Sequence, residues 1–175
     1  MRIGICFGCF IPLHKGHMEM INQSVSENDH TIIGICGFDN DRGKDFISFR
    51  ERIRLIKKLF GGRADITLAV IDDKKIGLTG KFDLEAWQKW SKELFENSGF
   101  APDDNHNEYV WYSGERDYLS KISMLYPNHK TVQLCRSIIP VSGTMIRQNP
   151  KQYREYIHPA FIDYLQEKQH KEKKL

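Results

Sequence analysis

Gly8-Cys9-Phe10-Ile11-Pro12-Leu13-His14-Lys15-Gly16-His17 is the stretch that decides how this chain folds. Before it, Arg2 to Gly8 (RIGICFG) is a short apolar run ending in glycine, which reads as a buried strand. After it, Met18, Ile21 and Val25 recur at helical spacing within His17 to Glu27. The stretch from Cys9 to Gly16 is therefore a strand-to-helix loop. Backbone N–H groups at the start of such a helix, with the positive end of its dipole behind them, attract phosphate. Gly8 and Gly16 permit close backbone approach, and Pro12 fixes the loop direction. His14 and His17 lie three residues apart, so both imidazoles can face one bound group and donate N–H to its oxygens.

Two other chemistries use the same side chains. Cys6-x-x-Cys9 has the spacing of a redox pair, although Cys6 falls within the strand rather than at the helix entry. Cys6, Cys9, His14 and His17 are also zinc-ligand types. Their Cys-to-His gap of four residues is far short of the roughly 12 of a zinc finger.

Working outward, Thr31 to Phe38, Ile66 to Ile71, Glu108 to Tyr112 and Lys130 to Cys135 read as four further strands. Ser48-Phe49-Arg50-Glu51 is a capping box opening a helix through Phe60, which Gly61-Gly62 stops. Arg50 and Arg54 read as its exposed face. Phe82 to Asn97 is a long amphipathic helix with Asp83 as N-cap and Gly99 as its stop. Asp117 to Leu125, Ser142 to Gln148 and Ala160 to Gln169 are the later helices.

Strands that are apolar throughout and alternate with helices predict an α/β fold. The expected form is a Rossmann-like, doubly wound, parallel five-stranded sheet with helices on both faces. Ligands in such sheets bind beyond the carboxyl ends of the strands. The loops after Gly8, Phe38 and Cys135 are thus the ones expected to matter.

The 175 residues fit one domain, expected over 1–165, with 166–175 as a basic solvated tail. The formal net charge is +3, and Gln166 to Leu175 alone holds four Lys and two Glu. The remainder is nearly balanced, which argues against a nucleic-acid partner. Four cysteines are too few for a disulfide scaffold. No run approaches the roughly 20 apolar residues of a membrane span. The expectation is a soluble cytoplasmic protein with small-molecule partners and no membrane; a homo-oligomer is left open.

A second constellation follows the last strand: Arg136-Ser137-Ile138-Ile139-Pro140-Val141-Ser142-Gly143-Thr144-Met145-Ile146-Arg147. Ser142 is a good N-cap. Two hydroxyls and a guanidinium converge there, the donor set of a polyphosphate site. An ordinary capped helix with a surface Arg would look the same if this segment stood alone.

Together, Gly8-x-Phe10-x-Pro12-x-His14-x-Gly16-His17 and Ser142-x-Thr144-x-x-Arg147 resemble the HxGH nucleotidyltransferase superfamily over essentially the whole chain. Gly37-Phe38-Asp39-Asn40-Asp41-Arg42-Gly43, Trp87-x-x-Trp90, Gly114-Glu115-Arg116-Asp117-Tyr118, and Arg147-Gln148-Asn149-Pro150 with Tyr153-x-x-Tyr156-Ile157 resemble the adenylyltransferase domain of NadR-type proteins.

That resemblance implies a nicotinamide-nucleotide adenylyltransferase, which moves AMP from ATP to NMN or NaMN. His14, His17 and Arg147 would be catalytic. Gly8, Phe10, Lys15, Gly16, Asp117, Ser142 and Thr144 would join them around ATP, with Mg²⁺ carried on the phosphates. Cys9, Asp39, Arg42, Trp87 and Arg136 would surround NMN, with a Trp stacking on the pyridinium ring. Trp87, Trp90, Leu94 and Phe95 equally form a helical core stripe. No G-x-x-x-x-G-K-[ST] occurs, so an attached P-loop kinase is not expected. The alternatives are a phosphopantetheine or FMN acceptor, or a nucleotide sensor without turnover.

Overall fold

The computed structural model describes residues 1–37, 46–77, 83–135 and 140–173. Five strands, β1 (Arg2–Gly8), β2 (His30–Gly37), β3 (Ile66–Asp72), β4 (Glu108–Ser113) and β5 (Lys130–Gln133), form one sheet in the order β3-β2-β1-β4-β5. Every neighbouring pair is parallel. The chain winds outward from β1 through β2 to β3, then crosses back to β4 and β5. The order therefore reverses between β1 and β4, where open α/β sheets carry their ligand crevice.

Among the described residues four helices join the strands, α1 (Lys15–Glu27), α2 (Phe49–Phe60), α3 (Leu84–Ser98) and α4 (Arg116–Leu125), and two follow β5, α5 (Gly143–Gln148) and α6 (Pro159–Glu172). Caps explain where several begin and end. The Ser48 hydroxyl accepts from the Glu51 N–H at 3.3 Å, and the Asp83 carboxylate accepts from the Ala86 N–H at 2.9 Å. Gly99 ends α3 with φ +76°, a left-handed turn that glycine adopts without steric cost.

The period of two along each strand divides the core. Ile3 and Ile5 of β1, Ile32 of β2 and Trp111 of β4 pack with Trp87, Trp90 and Phe95 of α3 on one face. Cys6, Ile33, Ile35, Val110 and Tyr112 pack with Leu55 and Ile56 of α2 and Phe161 of α6 on the other. Each such buried side chain contributes about 1.5–3 kcal/mol. The sheet is covered on both faces, as its all-apolar strands imply.

The boundaries differ at informative places. α1 starts at Lys15 rather than His17, because His14 itself is the N-cap. β5 stops at Gln133, two residues before the apolar run ends; the Leu134 N–H still donates to the Ser113 carbonyl of β4 at 3.0 Å, and Leu134 and Cys135 line a cavity at the strand ends. Residue 165 falls inside α6, so most of the expected tail is the end of that helix. A 3₁₀ turn at Arg154–Tyr156, unmarked by any pattern in the sequence, precedes α6. Phe38, Phe82 and Ile138 lie outside the described residues. Among those described, no helix is long and apolar enough to cross a membrane.

Candidate active site

The carboxyl ends of β1, β2, β4 and β5 open into a cavity of about 470 Å³. Both constellations read from the sequence meet there. Gly8, Cys9, Phe10, His14, Gly16 and His17 line it from the first, and Ser142, Thr144 and Arg147 from the second.

The β1–α1 loop aims its two histidines by helix capping. The His14 carbonyl accepts from the N–H groups of His17 at 2.9 Å and Met18 at 3.1 Å. Position N-cap and position N3 share one side of a helix start, and the two imidazoles stack with centroids 3.7 Å apart. Phe10 presents its ring edge-on to His17 at 4.9 Å. Its φ of +51° is a left-handed conformation, costly for a residue with a side chain, and sets the turn that brings the loop over the strand end. The Leu13 carbonyl accepts from the His158 N–H at 2.9 Å, so the start of α6 braces the loop from behind.

At the second segment, the Ser142 hydroxyl accepts from the Met145 N–H at 3.2 Å. Arg147 donates to the Thr144 hydroxyl at 3.1 Å and to the Ile11 carbonyl at 2.8 Å. One guanidinium thus joins the two loops. Gly143 makes that approach possible: a Cβ there would sit 3.0 Å from the Ile11 carbonyl oxygen and from Arg147. A substituted residue would hold the loops apart.

The opposite wall is aromatic. Phe7, Trp87, Trp90 and Tyr118 line it, with Phe7–Trp87 at 5.5 Å, Phe7–Trp90 at 5.1 Å and Trp87–Tyr118 at 5.1 Å between centroids. Trp87 and Trp90 are only 2 % and 1 % exposed. They are core residues of the α3 stripe and part of the cavity wall at once. Tyr118, unremarked beyond its motif in the sequence, is the more accessible ring.

Two expected residues are not on the cavity wall. Asp117 is exposed on α4, where its carboxylate pairs with Lys121 one turn on; Tyr118 beside it takes the wall position. Lys15 is exposed, and its ammonium lies 5.3 Å from the Tyr156 ring centroid. Asp39, Arg42 and Arg136 lie outside the described residues.

Arg52 is the functional support that sequence reading missed. It is fully buried, and its Nη1 donates to the carbonyls of Cys9 at 2.6 Å and Cys36 at 2.8 Å. It ties together the ends of β1 and β2 beneath the loop. The signal was present: Arg52 falls on the same helical face as Leu55 and Ile56. Asp73, at the end of β3, is also buried, and its carboxyl is pushed up to about 8. Burial is the main cause, reinforced by the negative charges of Cys9 and Asp72 and opposed by Arg52.

Cys6 and Cys9 are not a redox pair. Cys6 is buried in the core on the other face of the sheet, its thiol donates to the Met20 carbonyl at 3.6 Å, and burial pushes it up to about 12.

A cytidylyltransferase-like family model matches residues 5–149. The chain is 28% identical over 167 residues to the trifunctional NAD biosynthesis/regulator protein NadR of Escherichia coli K12, covering 89% of this chain and 38% of that protein. It therefore spans about two-fifths of that relative's length. A phosphopantetheine adenylyltransferase of Desulforamulus reducens is 31% identical over 85 residues, 49% of each chain. Among solved structures, NadR in complex with NAD and AMP-PNP superposes with a TM-score of 0.74 at 28% identity, covering 91% of this chain and 45% of that one.

Proposed function

From the premise that this chain belongs to the cytidylyltransferase-like family of HxGH nucleotidyltransferases, we propose that it adenylylates a pyridine mononucleotide. ATP and NMN, or its deamido form NaMN, give NAD, or deamido-NAD, and pyrophosphate. The observation that carries this reading is the asymmetry of the cavity. Imidazoles, hydroxyls and the Arg147 guanidinium gather at one end, and four aromatic rings form the opposite wall. The first end suits a triphosphate; the second suits a flat cationic ring. The NadR relatives, solved in one case with NAD and AMP-PNP, support the same acceptor class.

The chemistry asks for positioning and charge stabilisation. An oxygen of the NMN 5′-phosphate attacks the α-phosphorus of ATP in line. A P–O bond forms there as the bond to the α,β-bridging oxygen breaks, and pyrophosphate leaves with the electron pair. The nucleophile is already anionic, so no general base is needed. His14 and His17 donate to the α-phosphate and the bridging oxygen, where charge accumulates. Arg147, Thr144 and Ser142 hold the β- and γ-phosphates. ATP enters as its Mg²⁺ complex, the metal being part of the substrate.

The acceptor is tested by supplying Mg·ATP with NMN, NaMN, phosphopantetheine or FMN and following pyrophosphate. Release with NMN or NaMN at the highest kcat/KM is expected. Preference for phosphopantetheine or FMN rejects the pyridine reading.

A further inference from the structure

The floor of the cavity holds two sulfur atoms that adenylyl transfer leaves unused. β1 and β2 are paired in parallel up to Gly8 and Ile35. Cys9 and Cys36 are thus the next residues of neighbouring chains, which run about 4.8 Å apart. That separation lies within the roughly 4.4–6.8 Å that a disulfide requires between Cα atoms. Both residues line the cavity, Cys9 half-buried and Cys36 buried. Their thiols are hydrogen-bonded to each other. Arg52 grips both carbonyls from one nitrogen, at 2.6 Å and 2.8 Å, and holds the pair in register. The other cysteines are placed differently: Cys6 faces the opposite core, and Cys135 lines the same cavity but is exposed beyond β5, three strands away from β2.

We infer that Cys9 and Cys36 are a redox-active pair, and that their disulfide, formed by a hydroperoxide, shuts the nucleotide cavity. The inference rests on reading that cavity as the nucleotide site.

Cys36 donates its hydrogen bond to Cys9, which together with burial holds the Cys36 thiol well above its ordinary range. Cys9, half-buried where Cys36 is buried, is the residue that meets the peroxide and attacks as its thiolate. Its thiolate takes the distal oxygen of the peroxide, the O–O bond breaks, and Cys9 becomes a sulfenic acid with release of hydroxide. That hydroxide takes the Cys36 proton. The Cys36 sulfur then attacks the Cys9 sulfur, and the sulfenic oxygen leaves as hydroxide and is protonated to water. Two thiols and one peroxide give one disulfide and two waters, with two electrons passing from sulfur to oxygen.

The link reaches the histidines through Phe10. The sulfurs must close from hydrogen-bond distance to about 2.05 Å, which draws Cys9 towards β2. Phe10 is the next residue, held at φ +51° with its ring 4.9 Å from His17. A displaced Cys9 moves Phe10, and Phe10 moves the histidine.

The test treats the full chain with hydrogen peroxide, maps its peptides by mass, and measures pyrophosphate release before and after dithiothreitol. The expected map shows Cys9 linked to Cys36 with the loss of two hydrogens. Release falls at least roughly tenfold, since a displacement near 1 Å at a reacting group costs that much or more, and dithiothreitol restores it. Each variant is compared with its own reduced form. Cys135→Ser keeps the link and the reversible loss, whereas Cys36→Ser shows neither. No link, a link from Cys9 to Cys135, or a Cys9–Cys36 link with unchanged release overturns the inference. The peptide map needs no turnover. If no acceptor is adenylylated, the effect of the link is read as loss of ATP binding, and a linked protein that binds ATP undiminished overturns it equally.

Discussion

Arg147 donates through Nη1 to the carbonyl oxygen of Ile11 at 2.8 Å, joining two loops 136 residues apart in the chain. The same guanidinium reaches the Thr144 hydroxyl at 3.1 Å. A lysine keeps the charge but not the planar fork that makes both contacts. Arg147→Lys is expected to lower pyrophosphate release at least ~10-fold, and Arg147→Ala roughly 10², with Tm within a few degrees of wild type. Near-normal turnover in Arg147→Lys would mean that charge alone suffices.

His17 stacks on His14 at the mouth of α1, and in the proposed reaction it supplies an N–H where charge develops on the phosphate. His17→Ala is expected to cut kcat by at least ~10², the scale of losing one transition-state donor. The measurement is pyrophosphate release under saturating substrates. A kcat near wild type would remove His17 from the catalytic assignment.

Arg52 is expected to matter for stability first. Its buried guanidinium satisfies two strand-end carbonyls. Arg52→Met leaves both unbonded, at a cost of about 3–6 kcal/mol, since hydrogen bonds to charged groups contribute about 1.5–3 kcal/mol each. Urea unfolding followed by far-UV circular dichroism reads this directly. An unchanged midpoint would show that the strand ends hold together without it.

Asp73 gives the fold a pH dependence of unusual sign. Its carboxyl is pushed up to about 8 when folded, whereas an unfolded Asp ionises near 3.9. Between those values the unfolded chain has released the proton and the folded chain keeps it. Stability contributed by this group therefore falls as pH rises from about 4 to about 8, and is level above that. Asp73→Asn removes the slope. Urea unfolding at pH 5 and pH 8 should show wild type losing about 1–3 kcal/mol more than the variant across that interval. Equal losses would contradict the buried, protonated carboxyl.

Much of the fold was legible because apolar runs and caps are local signals. Arg2 to Gly8, Ser48 with Glu51, and Asp83 with Gly99 each announce an element within a few residues. The cores of both cavity-lining segments were legible for the same reason: glycine, proline, histidine and hydroxyl residues mark a loop that turns sharply and offers hydrogen-bond donors. What escaped depends on partners distant in the chain. Arg52 acquires its role only where two carbonyls at the ends of β1 and β2 come together and take a donor between them. The nearness of Cys9 to Cys36 comes from strand register, which no single strand encodes. The end of β5 was blurred similarly: Leu134 still bonds to β4, but it and Cys135 border the cavity, so the apolar run outlasts the strand.

The central claim, that this cavity transfers AMP to a pyridine mononucleotide, is tested most directly by incubating the protein with Mg·ATP and NMN or NaMN and quantifying dinucleotide and pyrophosphate together. NAD or deamido-NAD is expected to appear in equal amount with pyrophosphate. Binding of ATP with neither product formed would contradict it and leave a nucleotide sensor in its place.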